Sequence, residues 1–325
     1  MKNEKRNEYM DFLKGFAILT VVVGHSISDI PGANLLFQLI YSFHMPLLFF
    51  ISAWIEEQNR EKYLSCGGKM LCRRASELLL PYVSWMILYE LFAGNLYQSI
   101  AQKGIFLKLL GYEQSGLWFF PVLYGMKILH FLYWRLRQRV GGQTLPGDIL
   151  ICALLGILLV CAAVITRHPY VINMLSYAIV YLSAVIIVDH EILQRLLCTE
   201  WAAAGALLLY LLLFSRFSFY DTGWMTQVIR MGTSLCVIAW CCKFQSVWKK
   251  NRGSRILCIM GCHSLAIYVL HGFFQDYKYY LGQLESGSLL AAAAFLAAFA
   301  VAGVCMLIEE MMKNSSWLHK VLFGK

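Results

Sequence analysis

The segment DFLKGFAILTVVVGHSIS, residues 11–28, decides the fold. Its long apolar run is typical of a helix that crosses a lipid bilayer, because a span needs roughly 20 mainly apolar residues. The same segment carries Asp11 and Lys14 near one end and His25 near the other. Ionisable groups are costly inside a bilayer and usually face a partner or a water-filled cavity. The segment therefore predicts a membrane helix with a polar stripe.

The composition of the whole chain agrees with a membrane protein. Of its 325 residues, 59% are hydrophobic and 14% are charged, whereas globular domains carry about 25% charged residues. We expect one integral membrane domain over residues 1–325, with the lipid bilayer as its surroundings. The 11 cysteines are scattered and predict no disulfide framework. Cys258, Cys262 and His263 have no familiar metal-ligand spacing, so no metal is expected.

Hydropathy predicts an all-α fold with about ten transmembrane helices. The predicted spans cover residues 11–28, 35–55, 78–94, 117–135, 149–166, 171–188, 201–215, 223–242, 255–275 and 288–308. The third and seventh spans are short. The gaps between spans are too small for a soluble catalytic domain, so any chemistry must come from the membrane helices and their loops.

The basic residues predict the orientation of these spans. With the amino terminus in the cytoplasm, 20 lysines and arginines fall in cytoplasmic segments and 5 in outer segments. Cytoplasmic loops of membrane proteins carry such an excess. We therefore expect both termini in the cytoplasm and a multi-pass protein of the plasma membrane. The net charge of +9 is explained by orientation, and no nucleic-acid partner is expected.

The polar residues of the first span share one face. Eleven residues separate Lys14 from His25, which is about three helical turns and about 16 Å along the axis. Asp11 lies one turn before Lys14 and can pair with it. Histidine is well suited to proton transfer near neutral pH. The alternatives are that Lys14 only marks the membrane interface and that His25 is a satisfied packing residue.

Later segments add basic and aromatic candidates. Lys69, Arg73 and Arg74 precede the third span, where they either set the orientation or bind phosphate, since arginine makes bidentate phosphate contacts. Further candidates in or beside spans are His44, Trp118, Tyr268 and His271. Taken alone, His44 beside Pro46 favours a structural role.

Charged residues inside other spans also need partners. Glu90, Lys127 and Arg230 fall within predicted spans. Because an unpaired charge is expensive in a bilayer, we expect these three side chains to pair with one another.

Five motifs together resemble a known family. They are the lysine and histidine of the first span, FHMPLLFFISAW, RRASELLLPY, LWFFPVLYG and SLAIYVLHGFF. In this order the chain resembles the acyltransferase 3 family of membrane acyltransferases over nearly its whole length. It is most similar to stand-alone members that resemble fucose 4-O-acetylase.

The resemblance implies acetyl transfer from cytoplasmic acetyl-CoA, the acyl donor, to a hydroxyl of an extracytoplasmic or lipid-linked glycan. It implies that His25 is the essential histidine, acting as general base or acyl carrier, and that Lys14 is the basic residue of the first helix. Asp11 would orient Lys14. The family's coenzyme A motif has two arginines four residues apart. Arg73 matches the first, but Glu77 stands at the second position.

The substitution at Glu77 leaves Arg74 and Lys69 as candidates to complete the phosphate site with Arg73. We further expect the acceptor sugar to contact His44, Trp118, Tyr268 and His271. Two alternatives remain. One is a transporter or exporter that uses intramembrane ionisable residues. The other is a member of the same fold that has lost catalysis. No protein partner is indicated.

Overall fold

The computed structural model of the chain describes residues 7–28, 30, 33–102, 104–111, 116–140, 144–218, 224–249, 251–284 and 286–325. These residues form helices and turns. The helices in the amino-terminal half are α1 (Glu8–Ile27), α2 (Asn34–Tyr41), α3 (His44–Gln58), α4 (Arg60–Cys66), α5 (Lys69–Phe92), α6 (Leu96–Ala101), α7 (Gly104–Leu109), α8 (Phe119–Val140) and α9 (Leu145–Thr166).

The helices in the carboxyl-terminal half begin with the return from α9. They are α10 (Pro169–Asp189), α11 (Glu191–Leu197), α12 (Glu200–Phe214), α13 (Trp224–Val247), α14 (Arg252–Cys262), α15 (Ser264–Leu270), α16 (Lys278–Leu281), α17 (Gly287–Met312) and α18 (Ser316–Phe323). A 3-10 turn over His271–Phe274 follows α15.

Six to eight helical segments of the described chain have the length and composition of a membrane span. The all-α prediction is confirmed, whereas the count of ten spans and the cytoplasmic placement of both termini stay predictions. The third and fourth predicted spans correspond to α5 and α8, which are long helices of 24 and 22 residues. Neither is among the helices that have both the length and the composition of a span.

Two predicted spans are interrupted. The second span is divided between α2 and α3 at Ser42–Phe43. The ninth bends by 67° between α14 and the segment that starts at Ser264. A break leaves backbone groups without helical partners, which is tolerated in a membrane only where other groups satisfy them. The Ser42 carbonyl accepts hydrogen bonds from the hydroxyls of Thr233 and Ser234, at 3.2 and 3.0 Å.

The chain divides into two compact units. The first comprises residues 1–55 and 190–311, and the second comprises residues 56–189 and 312–325. In the first unit α1 packs along α14, and α12 packs against α13. In the second unit α5 packs on α8 and α18, while α10 packs on α8 and α9. One integral domain over the whole chain stays a prediction.

Candidate active site

The first helix presents its polar residues as the sequence predicts. Asn7 caps α1 by accepting a hydrogen bond from the Met10 backbone N–H at 3.2 Å. One turn later, Lys14 Nζ lies 3.7 Å from Asp11 Oδ1. The Asp11 side chain is almost fully buried, whereas that of Lys14 is 29% exposed. The expected pair therefore exists, with its cation toward the surroundings.

Two glycines hold α1 against α14. A Cβ atom on Gly15 would lie 1.8 Å from the Leu257 carbonyl oxygen, and one on Gly261 would lie 1.9 Å from the Asp11 carbonyl oxygen. These separations leave no room for a methyl group. Small residues let membrane helices approach closely enough for extensive van der Waals contact. The backbone of α1 therefore has a fixed position beside α14.

His25 lies in a group of aromatic and imidazole rings. Its ring centroid is 5.2 Å from that of His271 and 6.5 Å from that of Tyr41, and the planes of the His25 and Tyr41 rings meet at 76°. The His25 side chain is half-buried. Among the described residues, its ring nitrogens have no hydrogen-bond partner. Both nitrogens are thus available to a substrate, which a proton-transfer or acyl-carrying role requires.

The backbone fixes the orientation of the other two histidines in this group. His44 Nδ1 lies 2.8 Å from the Ile40 carbonyl oxygen, and His271 Nδ1 lies 2.8 Å from that of Tyr268. A carbonyl oxygen can only accept, so Nδ1 must donate in both neutral rings. Each ring then has Nε2 as its proton acceptor.

The structure adds hydroxyl and amine contacts that the sequence analysis missed. The Ser26 hydroxyl is hydrogen-bonded to the Tyr277 hydroxyl, and Lys278 Nζ donates to Ser28 Oγ at 2.8 Å. Tyr268 is buried, with its ring centroid 6.2 Å from that of His271. The residues after the 3-10 turn therefore meet the end of α1 next to His25. The serines of HSIS in the first span were the only sequence signal for this contact.

The predicted phosphate-binding residues belong to the second unit and start α5. Lys69 and Arg73 are exposed, whereas Arg74 is largely buried. Glu77 accepts from Arg73 Nε at 2.7 Å and from Arg74 Nη1 at 2.5 Å. The hydrogen bond from Arg73 to Glu77 and the negative charge of the Glu77 carboxylate raise the pKa of Arg73. The acidic residue at the second motif position therefore contacts both neighbouring arginines.

Arg74 has further partners that indicate a structural role. Its Nη2 donates to Glu56 Oε2 at 3.0 Å and to the Tyr63 hydroxyl. Its guanidinium carbon lies 4.6 Å from the centroid of the Tyr63 ring. Lys127 Nζ donates to the same Glu56 oxygen at 2.6 Å. With these contacts, Arg74 ties the start of α5 to α3, α4 and α8.

A second buried ionic cluster surrounds Glu57. Its Oε2 accepts from His130 Nε2 at 2.6 Å and from Trp134 Nε1 at 2.8 Å, while its Oε1 accepts from Arg60 at 2.8 Å. Asp189 continues this cluster by accepting from Arg60. Sequence analysis missed these contacts. Apart from Glu57 and Arg60, which are three residues apart, each pair joins residues far apart in the chain.

The remaining predictions have mixed outcomes. Trp118 belongs to the second unit and stacks on Tyr177 with ring centroids 5.7 Å apart, so its contact with a sugar stays a prediction.

The expected mutual pairing of Glu90, Lys127 and Arg230 is wrong. Glu90 is bound by Lys108 and Ser99 instead, and Lys127 by Glu56. Short local helices after α5 bring Lys108 to Glu90, which hydropathy alone does not indicate.

Comparison with known proteins decides the family. The sequence pattern of a family described as an acyltransferase domain matches residues 7–309. The chain belongs to this acyltransferase family. The expected resemblance is thereby confirmed over α1 to α17, and the protein is a membrane acyltransferase with several apolar spanning helices. The carboxyl-terminal α18 lies beyond the matched residues.

One curated relative shares part of the sequence. Nodulation protein NolL of Sinorhizobium fredii is 33% identical over 92 residues, which are 26% of this chain and 25% of NolL. The match thus spans a quarter of that relative. No solved structure matches the chain.

Proposed function

We propose that this acyltransferase moves an acetyl group from cytoplasmic acetyl-CoA to a hydroxyl of an extracytoplasmic or lipid-linked glycan in the plasma membrane. The observation that carries the proposal is the state of His25 in a chain of this family. Its two ring nitrogens are without partners among the described residues, while the neighbouring rings of His44 and His271 are fixed by the backbone.

The proposed reaction is an ordinary acyl transfer. The acceptor hydroxyl oxygen attacks the thioester carbonyl carbon, and His25 takes the hydroxyl proton as general base. The new C–O bond forms as the C–S bond breaks, and the coenzyme A thiolate leaves and receives the proton. If His25 is instead the acyl carrier, its nitrogen attacks first and the acceptor hydroxyl then attacks the acyl-imidazole.

The other predicted residues have supporting roles. In the first unit, the amine of Lys14, held by Asp11, is a cation that can attract the phosphates of the donor. In the second unit, the exposed cations Lys69 and Arg73 are the candidates for the same role. Tyr268 and Trp118 offer aromatic faces and polar edges of the kind that hold sugars. His44 and His271 present unprotonated nitrogens that can accept hydrogen bonds from sugar hydroxyls.

Reconstitution tests the proposal. The purified full chain in liposomes receives acetyl-CoA labelled in the acetyl group, together with lipid-linked or polymeric glycans. We expect label in the glycan and release of free coenzyme A. Coenzyme A release without any acceptor, with label on the protein, indicates the acyl-carrier route. As a second measurement, glycans released from cells with and without the gene are compared by mass spectrometry. If no glycan carries an added acetyl group in the cells with the gene, acetyl transfer to glycans is overturned.

A further inference from the structure

The exposed face at the start of α5 carries two cations followed by an anion. Lys69, Arg73 and Glu77 are spaced by four residues, so their side chains follow one another along the same helix face. Lys69 and Arg73 are exposed, and Glu77 is partly exposed. The family motif places a second arginine where this chain has Glu77. The sequence change therefore replaces a cation with an anion on the face that would meet donor phosphates.

The contacts of Arg73 differ from those of Arg74. The Arg73 side chain is 67% exposed and uses Nε to contact Glu77. Among the described residues, its Nη1 and Nη2 have no other partner. The Arg74 side chain is only 18% exposed and is shared among Glu56, Glu77 and Tyr63. Arg73 is thus the arginine that can bind an incoming phosphate, and Glu77 is the anion already beside it.

The charges near Arg73 show what Glu77 does to an anion. Arg74 and Lys127 are matched by the carboxylates of Glu56 and Glu77. Glu77 also pairs with Arg73. Without the charge of Glu77, the net positive charge of Arg73, Arg74 and Lys127 with their carboxylate partners would rise by one. Two unit charges about 4 Å apart in a water-like medium interact by about 1 kcal/mol. A phosphate at Arg73 meets this repulsion from Glu77 directly.

The position of Glu77 is set by more than its own side chain. Gly324, which follows α18, has φ of +69°, and a Cβ atom there would lie 2.2 Å from the Glu77 carbonyl oxygen. Trp85 Nε1 donates to the Leu322 carbonyl at 2.7 Å and holds α18 on α5. The backbone at Glu77 therefore has α18 packed against it, and its carboxylate stays beside the two arginines.

We propose that Glu77 is an internal counter-anion that competes with the donor's phosphates for Arg73 and sets a low affinity for the acyl donor. This inference rests on the proposed use of acetyl-CoA. Glu77 is a specificity-determining residue here, because it selects how much phosphate charge a donor must bring to displace the ion pair. A donor with fewer phosphates gains less at Arg73 and suffers less repulsion from Glu77.

The test is steady-state kinetics of the full chain in liposomes with Glu77→Gln. The amide keeps the side-chain size and can still accept a hydrogen bond from one arginine, but it carries no charge. We expect KM for acetyl-CoA to fall about three- to fivefold at low ionic strength, with kcat nearly unchanged. The fall should shrink as salt is added, and it should be smaller for acetyl-dephospho-CoA.

Two controls isolate the ion pair. Glu191→Gln makes the same charge change in an exposed pair with Arg195 on α11 and should leave KM unchanged. In an Arg73→Gln background, Glu77→Gln should produce a much smaller change in KM, since the cation for which it competes is gone. If Glu77→Gln does not insert stably, Glu77→Met supplies an uncharged side chain of similar length for the same measurements.

The outcomes separate this inference from the proposed function. A wild-type chain that transfers no acetyl group from acetyl-CoA ends the proposed function. A wild-type chain that does so, together with an unchanged or raised KM in the folded Glu77→Gln protein, overturns the counter-anion role and leaves the acetyltransferase intact. An equal fall in KM in the Arg73→Gln background would also overturn it.

Discussion

A buried histidine, His130, and a half-buried one, His25, show how differently this protein uses the same side chain. His130 in the second unit has both ring nitrogens engaged, with Nε2 on Glu57 and Nδ1 3.2 Å from the Tyr181 hydroxyl. His25 in the first unit has neighbouring rings and no hydrogen-bond partner for its nitrogens among the described residues. A histidine saturated by fixed partners stabilises the fold, whereas one with available nitrogens can serve a reaction.

The largest expected effect comes from removing His25, the histidine with available ring nitrogens. His25→Ala should lower kcat by about 10²–10⁴, the range for loss of a general acid or base. The thermal unfolding midpoint in detergent should stay close to that of the wild type, because no hydrogen bond of the ring within the described residues is lost. Wild-type turnover in a folded His25→Ala protein would remove His25 from the mechanism.

The next largest effect comes from removing Glu57, the carboxylate that binds His130. Glu57→Ala leaves His130, Trp134 and Arg60 without their shared carboxylate, and removal of one partner of a buried ion pair costs about 3–5 kcal/mol. We expect the free energy of unfolding to fall by that amount. Glu191→Ala, at an exposed pair worth about 0–1 kcal/mol, is the matched control. Equal stability of the two variants would contradict a structural role for the cluster.

The smallest effect comes from disturbing the contact between α14 and α1, the helix that carries His25. Gly261→Ala forces a methyl group against the Asp11 carbonyl and should cost about 1–3 kcal/mol, as overpacking does. Gly303→Ala on α17 is the control, because a Cβ atom there meets nothing within 4 Å. Thermal unfolding of both variants gives the difference. A Gly261→Ala protein as stable as Gly303→Ala would show that α1 and α14 separate easily.

The sequence was sufficient to predict elements that depend on local composition. The first span, predicted at 11–28, is the helix Glu8–Ile27, and the last, predicted at 288–308, is Gly287–Met312. Helical spacing also indicated the pairing of Asp11 with Lys14, because the two lie one turn apart on the same helix. Pro46 has no N–H, so the sequence indicates that the Ser42 carbonyl, four residues earlier, lacks a helical donor. The hydroxyls that satisfy this carbonyl come from α13 and could not be predicted.

The same physical limit applies to the candidate site. The motifs indicated His25 and Arg73, but the partners that distinguish them from His130 and Arg74 are side chains more than ten residues away in sequence. Glu56 lies 18 residues from Arg74, and Glu57 lies 73 residues from His130. Spacing on one helix does not predict such contacts, since they depend on which helices pack together.

The contact between Gly15 and α14 has a consequence beyond stability. His25 follows Gly15 by ten residues, and His271 follows Gly261 by ten residues. The crossing point of the two backbones therefore sets the height at which the two imidazoles meet, and a slip of one helix turn, about 5.4 Å, would part them. In a mutational scan these glycines should be intolerant of larger side chains, although they carry no chemical group at all.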